Sequence, residues 1–281
     1  SVGREGADIV AKFRTNVTPS VEGLPSWATI KSQKTSGDEV TVTIAVAPNT
    51  TAQVRSAVVR VYNSSVADDI LYYISQDCTL PSGSNVLFAE NFDWMKEYFQ
   101  EYEDANSGTK IGDTVGKRDK DANSPNFYSA KGLDGLRAAF AAKGYGDSNA
   151  SKKVIYPNDA YLKFGKTSTG TRLVLPALDV DGTVDATITF NYAFQIQGTG
   201  KMDATELFVF VDGTKVNAEK LPTTQTGGDV NSDPRIVRDF TWQTVTLNLE
   251  GISRTSKIEI GNETFTTTQR FFLDNIVISR K

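Results

Sequence analysis

Residues 40–46 read VTVTIAV, with Val40, Val42, Ile44 and Val46 in one register and threonine or alanine in the other. Strict alternation of β-branched residues has the period of a strand that buries one face and wets the other. The same signal returns on both sides. Residues 8–14 (DIVAKFR), 56–62 (SAVVRVY) and 70–75 (ILYYIS) are short apolar runs, and the gaps between them hold Pro, Gly, Asn and Asp. Short strands at this spacing predict an antiparallel sandwich over the first eighty residues. Residues 78–85 (CTLPSGSN) carry no periodicity and read as a linker. The predicted domains are therefore 1–78 and 86–281, with 79–85 between them.

Beyond the linker, residues 86–89 form one strand signal. A polar region with little strand character then runs from Lys96 to about Asp159. Its one helical candidate is 133–143 (LDGLRAAFAAK), where Leu133, Leu136, Ala139 and Phe140 share a face and Gly144 follows as a stop. Strand signals resume at 161–164, 172–175, 186–192, 206–211, 244–249, 257–260 and 270–279, and Asp212-Gly213 marks a hairpin. The expected fold class is all-β. It comprises an N-terminal immunoglobulin-like β-sandwich and a C-terminal jelly-roll β-sandwich with one long, partly helical insertion.

Composition removes several chemistries. The 281 residues carry 30 basic and 34 acidic side chains, no histidine and one cysteine. Without histidine there is no Ser-His-Asp or Cys-His catalysis and no ordinary His-containing zinc site. A lone Cys78 makes no internal disulfide. A net charge of −4 gives no basic footprint for nucleic acid. No run approaches the roughly 18 apolar residues of a membrane span, and the first residues do not read as a signal peptide. A leader or lipoprotein anchor is expected to lie outside this sequence.

Two family resemblances follow from particular residues. Thr15-Asn16, Trp27, Asn49, Arg55 with the AVVRV run, and YYISQ ending at Gln76 together resemble the BACON domain, an immunoglobulin-like module of Bacteroidetes secreted and surface proteins. The resemblance implies a spacer beside carbohydrate-active domains. In the second part, FAENFD (88–93), YLKFGKTSTGTRLVLPAL (161–178) and the closing TWQTVTLNL, SKIEIG and RFFLDNIVIS segments resemble the galactose-binding-like fold of many carbohydrate-binding modules. That resemblance implies an extracellular or outer-membrane-surface location. It also implies a structural calcium held by Glu90 or Asp93 together with Asp274, in Phe272-Leu-Asp-Asn-Ile276, and a structural position for Trp242.

The residues themselves leave alternatives open. Calcium takes about six to eight oxygens, and adjacent first and last strands would bring Glu90 or Asp93 near Asp274. The same acids serve equally well as caps on turns, although an acid within the apolar run at Asp274 requires a partner. Sugar recognition uses aromatic faces flanked by amide and carboxylate groups. The segment 94–161 supplies Trp94, Tyr98, Tyr102, Tyr128, Tyr145, Tyr156 and Tyr161. Of these, Tyr98, Tyr102, Tyr128 and Tyr145 are expected to be exposed and to contact ligand, since loops on rigid sandwiches carry function. Taken singly, each is as readily a core residue. Glu97, Glu101, Glu103 and Asp104 read as a solvated helix face rather than a glycosidase pair. The two resemblances together imply a non-catalytic glycan-binding protein. A protein-interaction module of a surface assembly is the alternative, and a carboxylate-based enzyme ranks third.

Overall fold

The computed structural model describes residues 2–51, 55–65, 70–76, 82–83, 85–115, 123–198, 203, 206–217, 221, 242–266 and 270–281. Cys78 lies outside them. The chain separates into two compact units, Ser1–Thr79 and Leu80–Lys281.

The first unit is a pair of three-stranded antiparallel sheets. Strands β1 (Ala7–Arg14), β4 (Glu39–Val46) and β3 (Ala28–Ser36) form one sheet in the order β1-β4-β3. Strands β2 (Ser20–Glu22), β5 (Arg55–Tyr62) and β6 (Ile70–Gln76) form the other, in the order β2-β5-β6. Central β4 buries Val40, Val42, Ile44 and Val46, and these meet Val59 and Ile74 from the facing sheet in one core. That is the face the alternation assigned. Strands β2 and β3 escaped the sequence reading. Of the ATIKSQKTS residues of β3, Ala28 alone is buried. β3 is an edge strand held through its backbone ladder to β4, so it leaves no apolar period to detect.

Three of the residues that carry the BACON resemblance, Trp27, Arg55 and Gln76, meet at one place in this unit. The Arg55 guanidinium lies 4.6 Å from the centre of the Trp27 ring. It donates from Nε to Gln76 Oε1 at 2.8 Å and from Nη2 to the Ala47 carbonyl at 2.7 Å. Gln76 in turn donates to the same Ala47 carbonyl at 2.9 Å and to Gly3 at 3.2 Å. Buried Asn49 accepts from the Thr51 N–H at 3.2 Å. The motif is a polar clasp joining strand ends, which satisfies backbone carbonyls that the ladders leave over.

The second unit is a two-sheet sandwich. Its larger sheet has the order β15-β12-β17-β10-β9, with β7 also paired to β17. Here β7 is Val86–Glu90, β9 Ile155–Asn158, β10 Tyr161–Phe164, β12 Thr183–Phe194, β15 Gln243–Ser253 and β17 Phe271–Arg280. The smaller sheet has the order β14-β13-β16-β11-β8, comprising β8 (Gly146–Asp147), β11 (Arg172–Val174), β13 (Phe208–Val211), β14 (Thr214–Lys215) and β16 (Ile258–Gly261). The chain passes back and forth between the sheets, as a jelly-roll sandwich does. Phe164, Leu173, Phe190, Val209, Ile260, Phe271 and Ile278 share the core between them. The region between β7 and β8 holds a 3-10 helix (Asp93–Tyr98) running into α1 (Phe99–Ala105), and α2 (Asp134–Ala142). Helix α2 is the one the 3.6 period indicated. The Asp93–Ala105 helical stretch was readable only through its acidic face, because its first turns are 3-10 and it is short.

Strand β17 shows how one sequence detail sets the phase of a sheet. Phe271 and Leu273 face the core, and so do Ile276 and Ile278. Those two pairs are out of phase by one residue. The register against β12 jumps from Asp274 opposite Asn191 to Val277 opposite Thr189, so β17 carries one extra residue. Asn275 absorbs it with φ of +50°, the left-handed conformation that Asn adopts more readily than most residues. Without that bulge, half of this strand would turn its apolar side chains outward.

Candidate ligand-binding site

Glu90, at the end of β7, is 7% exposed and points inward, opposite Ile276 of β17. Both carboxylate oxygens are engaged. Oε1 accepts from the Phe92 backbone N–H at 2.5 Å and from Trp94 Nε1 at 3.2 Å. Oε2 accepts from the Tyr145 hydroxyl at 2.5 Å and from Trp94 Nε1 at 3.1 Å. Asp93 accepts from Asn91 Nδ2 at 2.6 Å and lies 3.4 Å from Lys96. Asp274 sits in the register of Phe272, on the outer face of the sheet, and accepts from the N–H and Nδ2 of Asn275, both at 2.7 Å. Strands β7 and β17 are indeed neighbours. Glu90 and Asp274 nevertheless lie on opposite faces, and among the described residues no group of three acidic or sulfur ligands comes together. The three acids do not fit a common calcium site.

The four tyrosines expected at the surface turn inward to different degrees. Tyr102 is 6% exposed and Tyr145 7% exposed, both in the core cluster. The Tyr145 ring stacks on Phe140 at 5.0 Å, and burial with the Glu90 charge holds its hydroxyl protonated well above the ordinary tyrosine range. Tyr128 is half-buried, and its hydroxyl donates to Asp147 Oδ2 at 2.7 Å. Burial first, then Asp147, raises its pKa as well. Tyr98 packs edge-on to Trp94 at 6.2 Å. The expectation of exposure therefore fails for Tyr102 and Tyr145. These tyrosines join Met95, Phe127, Leu133, Leu136 and Phe140 in fastening the insertion to the sandwich.

A different face gathers binding chemistry. The outward side of the larger sheet ought to be polar and wet, since its inward side already forms the core. Instead it is covered, and charged. Across neighbouring strands, one row runs Asn158, Tyr161, Asp274, Asn191 and Thr244. The next row runs Tyr156, Lys163, Phe272 and Ala193. Lys163 is 7% exposed, Asp274 4% and Asn191 2%. The Lys163 ammonium lies 5.1 Å from the centre of the Tyr156 ring. Trp242, just before β15, meets Tyr161 edge-on at 5.2 Å. Thr244 donates to Asn191 Oδ1 at 2.6 Å.

One edge of this array is walled by the chain around Thr114. The Tyr161 hydroxyl donates to Asp113 at 2.6 Å and accepts from the Thr114 and Val115 N–H groups at 2.6 and 2.9 Å. Thr114 Oγ1 and Ser124 both donate to Asn158 Oδ1. The arrangement keeps Tyr161 neutral, chiefly through burial and then through Asp113. Tyr156 and Trp242 remain half-buried, Thr244 is exposed, and amide, ammonium and carboxylate groups share the face with the rings. Chemically the face offers two aromatic rings and several fixed donors and acceptors. Sequence reading missed it because its members come from five strands. The available signal was polar residues alternating with apolar ones at Lys163, Asn191 and Asp274.

Residues 16–77 match the BACON family model, whose description reads "Putative binding domain, N-terminal". Two solved structures are similar over about half of the chain. The K3 cleaved adhesin domain of Lys-gingipain (Kgp) from Porphyromonas gingivalis is 16% identical, with 48% of this chain and 88% of that one covered at a TM-score of 0.31. The K1 cleaved adhesin domain of the same protein is 18% identical, with 51% and 88% covered at a TM-score of 0.30. No curated protein matches the chain. Among the described residues, no helix is long and apolar enough to cross a membrane.

Proposed function

We propose that the chain is a non-catalytic saccharide-binding protein of the bacterial cell surface, with its ligand on the outer face of the larger sheet. The observation that carries this reading is the array itself. Lys163, Asn191 and Asp274 are buried on this face beside the small apolar cluster of Tyr161, Ala193 and Phe272, with the Tyr156 ring near Lys163 and the Trp242 ring against Tyr161. Burying such groups is costly, and a sheet keeps them where they have a use. A pyranose presents C–H faces to aromatic rings and hydroxyls to amide and charged groups, which matches this set. Against catalysis stands the state of the acids. Glu90, Asp147 and Glu259 accept bonds from Tyr145, Tyr128 and Ser148, so each is already used as a structural acceptor.

The test is binding of the intact chain to a panel of neutral, amino and acidic glycans, followed by titration of the best ligand. Trp242→Ala and Tyr156→Ala should each weaken it about tenfold, the size of one aromatic contact. Tyr145→Phe should leave the affinity unchanged. Absence of binding across the panel, or loss in Tyr145→Phe with none in Trp242→Ala, would sink the assignment.

A further inference from the structure

The two sheets of the second unit end on the same side, and a groove of about 690 Å³ lies between the ends. Its walls are the hairpin of β13 and β14 and the strand β15. Val211, Val216 and Leu247 form an apolar floor, with Thr246, Asn248 and Glu250 along β15. Among the described residues, β15 ends the larger sheet and pairs with β12 alone. It is an 11-residue strand. A long edge of that kind invites another strand unless charge, proline or a bulge discourages it. The edge strands of one sheet of the first unit are guarded in this way, with Lys12 on β1 and Lys31 and Lys34 on β3, Lys31 being paired to Asp8. Along β15 the sequence QTVTLNLEGIS has no proline, no lysine and a single charge, and its bulge lies at the far end, between Leu249 and Ile252.

We propose that β15 is the interface of a two-fold dimer, pairing antiparallel with β15 of a second copy. The strand's own pattern fixes the register. Regular alternation runs from Thr244 to Glu250 and stops at Gly251, whose φ is +59°. Directly opposed residues in an antiparallel pair must share a face, so the two-fold axis passes through a residue rather than between two. Centring on Leu247 uses the whole regular stretch. Half-buried Leu247 then meets its own copy, and Val245 meets Leu249. On the outer row Thr246 faces Asn248, and Thr244 faces Glu250. No like charges oppose one another, and each carboxylate lies across from a hydroxyl, so the strand is complementary to itself in charge as well as in shape. A saccharide or a foreign peptide in the groove would need no such symmetry.

Sedimentation velocity of the intact chain reads this directly. The wild type should shift from monomer to dimer as concentration rises to about 100 μM, the range in which a small specific interface assembles. The double variants Thr246→Lys/Asn248→Lys and Thr246→Glu/Asn248→Glu place like charges opposite each other on the solvent side. Each should remain monomeric with its melting transition kept, and their equimolar mixture should restore the dimer. Amide exchange in residues 244–250 of the wild type should quicken on dilution, which keeps the test open if a variant folds poorly. A wild type that stays monomeric with concentration-independent exchange overturns the proposal. So does a dimer that persists in both double variants, or one that forms only when a peptide or glycan is added.

Discussion

At the scale of single residues, the protein spends its ionisable and aromatic side chains on internal fastening. Glu90 ties β7 to the helical segment through Trp94 and Tyr145. Tyr161 ties β10 to the Asp113–Val115 turn. Candidate acids were visible in the sequence, but the sequence could not say which face of a strand each would take, because a one-residue bulge inverts that assignment. The tyrosines give a pH prediction. Burial, with Glu90, Asp147 or Asp113 next in importance, raises the hydroxyl pKa of Tyr145, Tyr128 and Tyr161, and burial pushes Tyr192 up to about 12. A raised folded pKa means that the unfolded chain loses protons the native state keeps. The stabilisation is therefore complete below the ordinary tyrosine value of 10.0 and is lost as pH rises above it. Urea midpoints should fall above pH 10, by about 1.4 kcal/mol per pH unit for each such tyrosine. Tyr145→Phe should cost about 1–2 kcal/mol at neutral pH and make that decline shallower. Native-state ionisation of all ten tyrosines near the ordinary value, followed by absorbance, would contradict the account.

At the scale of elements, the closing strand carries the most information. The RFFLDNIVIS segment reads as a strand from sequence, and it is one, lying at the centre of the larger sheet. Its bulge is legible only in retrospect, as a break in phase between Leu273 and Ile276. The prediction follows from φ of +50° at Asn275. Asn275→Gly keeps the backbone and loses the side-chain bond to Asp274, at a cost of about 1 kcal/mol. Asn275→Val forces a β-branched residue into the left-handed region and should cost clearly more, above about 2 kcal/mol. Chemical denaturation ranks the pair, and a valine variant milder than the glycine variant would refute the bulge argument. Strand β3 marks the opposite limit. It owes its existence to β4 rather than to its own residues, so no reading of ATIKSQKTS alone finds it.

At the scale of the whole molecule, each unit has its own core. The expected consequence is that residues 1–79 and 80–281, produced as separate chains, each unfold cooperatively. Calorimetry or urea titration with tryptophan emission checks this, since Trp27 reports the first chain and Trp94 and Trp242 the second. A first unit without cooperative unfolding would show that its sandwich depends on the rest of the protein. The Trp27–Arg55–Gln76 clasp sharpens the prediction, because Arg55→Ala removes bonds to Gln76 and Ala47 and should destabilise the first chain by about 2 kcal/mol. These residues carry the family resemblance by holding strand ends together. That is a structural use of these residues, and the proposed saccharide site lies in the second unit.

The sequence by itself determined the all-β class, the central strands and α2. Those depend on periods of two and 3.6 residues that each segment carries within itself. It also excluded histidine-based catalysis, which needs no structure to establish. Only the tertiary structure decided which side chains meet. Tyr145 lies 55 positions from the carboxylate it bonds, and Lys163, Asn191, Asp274 and Trp242 come together through strand order and register. The physical reason is that a strand's pattern says which residues share a face, while the identity and phase of its neighbours are settled by the packing of the whole sheet.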